Sequence, residues 1–205
     1  MRVRHVFYVL VGLLLLGCSG MKPEDFAGNE PEFRPEIYFE GHTRAWGMFQ
    51  DRFGKVRRQF VVDLRGTQEG DEFVLREDFV YEDGETQQRV WRLRKTGENT
   101  YEGRAADVVG VGEGVASGNA FNLRYDLKLP MNGREFVVHF DDWMFLQPDG
   151  VLLNRATASK YGFTVGHVTL AFTKVADVAA DRSAGALYHP SSGHAAFYQS
   201  DYAAE

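Results

Sequence analysis

Between residues 36 and 175, apolar and polar positions alternate with a period of two, in short runs broken by turn residues. Phe121, Leu123, Tyr125, Leu127 and Leu129 interleave with Asn122, Arg124, Asp126 and Lys128, the pattern of a strand with one buried face. The same period recurs in Phe60, Val62 and Leu64, in Phe73, Leu75, Phe79 and Tyr81, and in Phe136, Val138 and Phe140. Turn chemistry falls between the runs: Asp51-Arg52-Phe53-Gly54, Glu69-Gly70-Asp71, Glu82-Asp83-Gly84, Thr96-Gly97-Glu98-Asn99, Met131-Asn132-Gly133, Pro148-Asp149-Gly150 and Tyr161-Gly162. No stretch sustains a helical period. The pattern predicts an all-β fold of about nine or ten antiparallel strands joined by short turns. Such a meander removes its exposed edges by closing, so an up-and-down barrel is the expected architecture. A two-sheet β-sandwich is the competing one.

The flanks read differently. Residues 21–35 carry Pro23, Pro31 and Pro35, several acids and no periodicity, which predicts a linker. After residue 175 Ala, Ser, Asp and Gly dominate, which predicts a flexible tail over 176–205. At the amino terminus Arg2, Arg4 and His5 precede an apolar run from Val6 to Leu16. A basic start followed by a short apolar stretch reads as a secretory signal. The run is too short to span a bilayer, which takes about 20 apolar residues.

Leu15-Leu16-Gly17-Cys18 resembles the bacterial lipobox. The resemblance implies cleavage before Cys18 and acylation of its sulfur and new amino group, with palmitate among the expected chains. Several acyl chains anchor firmly where one binds only marginally. The division expected is a signal peptide over 1–17, a lipidated linker over 18–35, a barrel domain over 36–175 and the tail. Ser19 in place of aspartate goes, by the same resemblance, with sorting to the outer membrane.

Charge and composition narrow the partners. The chain has 23 Lys+Arg against 29 Asp+Glu, a net charge of -6. Loss of Arg2 and Arg4 with the leader makes it more acidic still. An acidic chain without a basic block is a poor nucleic-acid binder, because phosphate contacts need clustered Lys and Arg. Composition also predicts no electrostatic pull toward anionic lipid, leaving the anchoring to the acyl chains. Cys18 is the single cysteine, so no disulfide supports the fold and stability must come from packing.

Several stretches carry a family resemblance. Phe39-Glu40-Gly41, Ala45-Trp46-Gly47, Asp51-Arg52-Phe53-Gly54-Lys55, Arg89-Val90-Trp91, Asp107-Val108-Val109-Gly110, Gly118-Asn119-Ala120, Asp141-Asp142-Trp143-Met144 and Ser159-Lys160-Tyr161-Gly162 resemble a bacterial lipoprotein family catalogued as domain of unknown function 3833. The resemblance covers roughly residues 36–174. It implies a Gram-negative envelope lipoprotein with a lipocalin-like, or calycin-like, barrel, and brings no catalytic or binding residues with it.

The usual chemical signatures are missing from the sequence. No two of His42, His139, His167, His189 and His194 stand at the spacing of a zinc helix motif, so no metal or other cofactor is expected. There is no Gly-x-Ser-x-Gly elbow. Gly110-Val111-Gly112-Glu113-Gly114 lacks the spacing of a phosphate loop and predicts a bulge or sharp strand bend. Asp141 and Asp142 are adjacent on a strand, so they should face opposite ways and cannot act as paired acid and base; the same holds for Glu77 and Asp78.

Alternation also points to charges on apolar faces. Glu77 is in register with Phe73, Leu75 and Phe79, and Asp142 with Val138, Phe140 and Met144. Arg58 shares a face with Phe60 and Val62, Arg89 with Trp91 and Leu93, and Arg155 with Val151 and Leu153. If these faces point inward, the charges must pair or meet water or ligand, since a lone buried charge is very costly. Arg58, Glu77, Arg89, Trp91, Asp142 and Arg155 are thus the candidate interior or ligand-binding set. A structural ion-pair network, or strand ends emerging into solvent, would produce the same pattern, and Trp46, Trp91 and Trp143 would serve equally as plain core. The leading expectation is a non-enzymatic, membrane-tethered periplasmic barrel that binds a small apolar or amphipathic ligand such as a lipid. A filled barrel acting through a protein partner is the second reading. An enzyme with Asp142 and Arg155 converging in a cleft is the third.

Overall fold

The structure is a computed structural model and describes residues 20–131 and 133–175. The leader, Cys18 and the tail lie outside the described residues. Ten antiparallel strands form one closed barrel, which excludes the sandwich. In chain order they are β1 (Gly41–Asp51), β2 (Val56–Glu69), β3 (Glu72–Tyr81), β4 (Thr86–Lys95), β5 (Thr100–Arg104), β6 (Val108–Ser117), β7 (Ala120–Met131), β8 (Arg134–Leu146), β9 (Leu152–Lys160) and β10 (Phe163–Lys174). Each pairs with its sequence neighbour, and β1 pairs with β10 to close the ring. Closure leaves no terminal strand at an open edge of the sheet.

In every strand but β9 for which a face is read from the alternation, that face points inward. Val62, Leu64, Phe73, Leu75, Trp91, Leu93, Phe121, Leu123, Tyr125, Val138 and Phe140 belong to one buried core. Glycines let rings lie flat on the wall: a Cβ on Gly114 would meet the Phe121 ring at 2.6 Å. The Gly110–Gly114 stretch is the expected bulge, with the β6–β7 register slipping between Val109 and Glu113 and Gly110 at φ +70°.

One end of the barrel is stoppered by the residues ahead of β1. Pro23–Phe26 forms a 3-10 turn, and α1 (Pro35–Tyr38) is a single helical turn started by a proline at its first position. Phe33 is fully buried and packs edge-on against Tyr38, Phe39 and Phe121. Its backbone N–H donates to the Gly118 carbonyl at 2.8 Å. The Tyr38 hydroxyl lies 3.1 and 3.2 Å from the Gly150 and Phe172 carbonyls. Glycine is required at 66, where a Cβ would stand 2.1 Å from the Phe39 carbonyl oxygen. Farther back, Phe26 packs on Trp143 and Phe145 on the outer wall. Part of the stretch that composition marks as a linker is therefore fastened to the barrel through its aromatic residues, which have nowhere else to bury.

Candidate functional site

The barrel interior holds a cavity of about 100 Å³ between the stopper and the middle of the wall. Leu75, Leu93, Phe121, Leu123, Met144 and Phe172 supply apolar lining, and Phe39 forms its floor. Three strands deliver charged groups to it: Glu77 from β3, Arg89 from β4 and Asp142 from β8. Trp91 lies beside them and meets Tyr125 edge-on at 5.1 Å, while Tyr125 stacks on Phe140 at 5.2 Å. The site is an aromatic box with charges set into one side.

The charges do not balance. Arg89 bonds Asp107, at the end of the β5–β6 connection, with 2.9 Å between nitrogen and oxygen, and stands 4.0 Å from Glu77. Asp142 is buried, accepts from the Asn154 amide and is hydrogen-bonded by the Tyr125 hydroxyl. One guanidinium thus serves three carboxylates. Burial pushes Glu77 up to about 7, with Arg89 opposing the rise and Asp142 and Asp107 adding to it. Burial likewise pushes Asp142 up to about 6, against the hydrogen bond from Asn154. The Tyr125 hydroxyl is raised well above its usual range by burial and then by the Asp142 charge. These groups are held where their ionised forms are disfavoured.

Of the six sequence candidates, Glu77, Arg89, Trp91 and Asp142 come together here. Arg58 has the inward register but lies at the far rim, where it bonds Glu85 and Asp83 and covers the Tyr81 ring at 3.5 Å. Arg155 is a correction. The inward face of β9 is Leu152, Asn154, Ala156 and Ala158, and Arg155 is exposed on the outer wall opposite Trp143. The apolar run Val151-Leu152-Leu153 carries no phase, and small alanines fill the inward positions because rings from facing strands already occupy the space. Asp142 and Arg155 therefore lie on opposite sides of the sheet, and no cleft joins them. Asp141 and Asp142 do part as expected: Asp141 pairs with Arg124 outside. Of the other tryptophans, Trp46 is exposed on the outer wall and Trp143 is buried beneath Phe26.

Tyr125, Asn154 and Asp107 were not singled out by sequence. Tyr125 carried a usable signal, since an inward tyrosine needs a partner for its hydroxyl. Among the described residues no group of three or more His, Cys, Asp or Glu is arranged to hold a metal ion.

A closed ten-stranded meander with a stoppered end and an aromatic cavity is a lipocalin-like β-barrel. Its fold is similar to that of the S-type phycobiliprotein lyase CPES from Guillardia theta, with a TM-score of 0.53 and 11% identity over 69% of this chain and 90% of that one. At that identity the likeness concerns the fold. The chain belongs to the family described as protein of unknown function (DUF3833), whose model matches residues 12–174. No curated protein matches it.

Proposed function

We propose that this protein is a lipoprotein of the Gram-negative envelope, acylated on Cys18 and held at the outer membrane facing the periplasm, whose barrel binds a small amphipathic molecule. The leader and Leu15-Leu16-Gly17-Cys18 support the tether. Barrels of about this size either fill their interior or keep room for one small ligand, and this one keeps a cavity. The observation that carries the binding reading is that Glu77 and Asp142, two buried carboxylates lining an aromatic cavity, share a single guanidinium that is also bonded to Asp107.

The geometry defines the ligand's chemistry. Two buried carboxylates sharing one guanidinium favour a hydrogen-bond donor or a cation at the polar end over a carboxylate or phosphate. A volume of about 100 Å³ is somewhat below the roughly 150 Å³ of an apolar cavity that holds benzene. It suits a small head or a branched apolar group. Native mass spectrometry of the purified mature protein should show a co-purifying small amphiphile. In titrations an alkylamine should bind and a fatty acid of equal length should not. No co-purifying molecule together with equal indifference to both probes would refute the reading. The smallness of the cavity favours one alternative, an envelope lipoprotein that acts through a protein partner; in-cell crosslinking that recovers one partner from a dry barrel would support it.

A further inference from the structure

At the far rim, away from the stopper, three aromatic or apolar side chains point into solvent. Phe53 is 79% exposed, Tyr161 89% and Phe163 74%. They come from two turns that the closure of the barrel makes neighbours. Asp51 pairs with Gly166, and the Arg52 N–H donates to the Val165 carbonyl at 3.1 Å, so the β1–β2 and β9–β10 turns stand side by side. Basic groups flank the rings. The Arg52 guanidinium lies 4.7 Å from the Phe53 ring, and Lys160 lies 3.9 Å from Phe136 and 5.3 Å from Tyr161. Lys55 is exposed beside them. Arg52, Lys55 and Lys160 form no ion pair among the described residues, whereas the neighbouring Arg57 is taken by Asp51 at 2.6 Å.

Backbone conformation sets this arc apart. Among the described residues Tyr161 is the non-glycine residue at positive φ, +52°, followed by Gly162 at +80°. A two-residue hairpin loop of this kind favours Asn-Gly. Tyrosine is held there in a conformation that L residues rarely adopt, with its ring almost wholly in water. Nothing in the packing of the barrel calls for it, and an outlier of this sort is a reason to look for function. The next turn around the rim carries Glu82, Asp83 and Glu85, with Arg58 bound among them. That turn is acidic, whereas the arc that holds the aromatic tips carries Arg52, Lys55 and Lys160, with Asp126 and Glu135 beside Lys160 and Tyr161.

We infer that this arc is a bilayer-contacting surface: Phe53, Tyr161 and Phe163 enter the headgroup region of a membrane while Arg52, Lys55 and Lys160 meet anionic lipid. Amphipathic rings settle at that depth, and apolar groups ringed by unpaired cations fit an anionic lipid surface. Net charge alone predicts no such attraction; the fold assembles it from residues in separate turns. The inference stands on the rim and needs neither acylation nor the ligand cavity.

The test uses the chain from Ser19 to Glu205, which lacks the apolar leader and Cys18 and keeps the whole barrel and stopper. It should co-sediment with vesicles containing phosphatidylglycerol and much less with phosphatidylcholine alone, and added salt should release it. Phe53→Ser with Phe163→Ser should weaken binding at least about tenfold, equivalent to about 1.4 kcal/mol. Arg52→Glu with Lys160→Glu should abolish the preference for phosphatidylglycerol. Tyr161→Asn is the decisive variant, because asparagine suits the turn: thermal stability should hold or rise while vesicle binding falls. Failure of the parent chain to bind either vesicle would overturn the inference, as would binding that these variants leave unchanged. Crosslinking of this rim to an envelope protein, without vesicle binding, would overturn it in favour of a protein interface.

Discussion

The guanidinium of Arg89 meets the carboxylate of Asp107 at 2.9 Å across a part of the wall that β5 does not reach. Strand β5 pairs only with Arg92 to Lys95 of β4. The earlier part of β4, including Arg89, has no strand partner on that side. The Arg89–Asp107 pair therefore ties β4 to the connection leading into β6, and the same guanidinium faces Glu77 inside. Wall and cavity share one cation.

Replacing Arg89 should be expensive. Arg89→Ala leaves two enclosed carboxylates without their cation, and breaking such a pair costs on the order of 3 kcal/mol. Arg58→Ala, whose side chain is 33% exposed and meets acids at the rim, should cost less than about 1 kcal/mol. Urea unfolding of both variants checks this. Equal losses would mean that the interior pair is no more important than the one at the rim.

Most of this architecture was legible in the sequence, and the exceptions have identifiable causes. Period-two alternation placed Glu77, Arg89 and Asp142 inside because each strand also carried large apolar residues that fixed its phase. In β9 the apolar run is continuous at Val151-Leu152-Leu153, so phase depends on Ala156 and Ala158, which signal weakly, and the alternation puts Arg155 on the wrong face. Asp107 was invisible as a partner because its contact with Arg89 crosses from strand to turn. The rim could not be read at all: Phe53 and Tyr161 are more than a hundred residues apart, and only the β1–β10 closure brings their turns together.

Stability should fall as pH rises from acid toward neutral. Glu77 moves from 4.5 to about 7 on folding and Asp142 from 3.8 to about 6. For acids with raised values the folded state holds more protons, so their contribution is greatest below the unfolded values and is lost as pH climbs through the folded ones. The apparent Tm should be higher near pH 5 than near pH 8, by an amount corresponding to about 1–3 kcal/mol. Glu77→Gln should flatten that slope. A Tm unchanged across this range would contradict the raised values.

The stopper should be part of the cooperative fold. Phe33 is fully buried among three other rings, and Phe→Ala at such a site costs about 3–5 kcal/mol. Phe33→Ala should lower stability by that amount and admit an apolar dye to the barrel end. If the variant unfolds at the wild-type urea midpoint, the residues ahead of β1 are an appendage and the barrel stands without them.

Asp142 should trade stability for binding. Asp142→Asn keeps the shape of a buried side chain, retains hydrogen-bonding capacity toward Asn154 and Tyr125, and removes the charge that burial disfavours. The ligand-free protein should therefore become more stable near pH 8 by about 1–2 kcal/mol, a common outcome when a strained functional group is neutralised. Binding should move the other way, because the same charge attracts the polar end of the ligand. Affinity for an alkylamine should fall about tenfold or more, while a neutral alcohol of equal length should be little affected. Calorimetric titration of both probes alongside thermal unfolding separates the two effects. A variant that gains stability and loses no amine affinity would assign Asp142 to the wall rather than to the site.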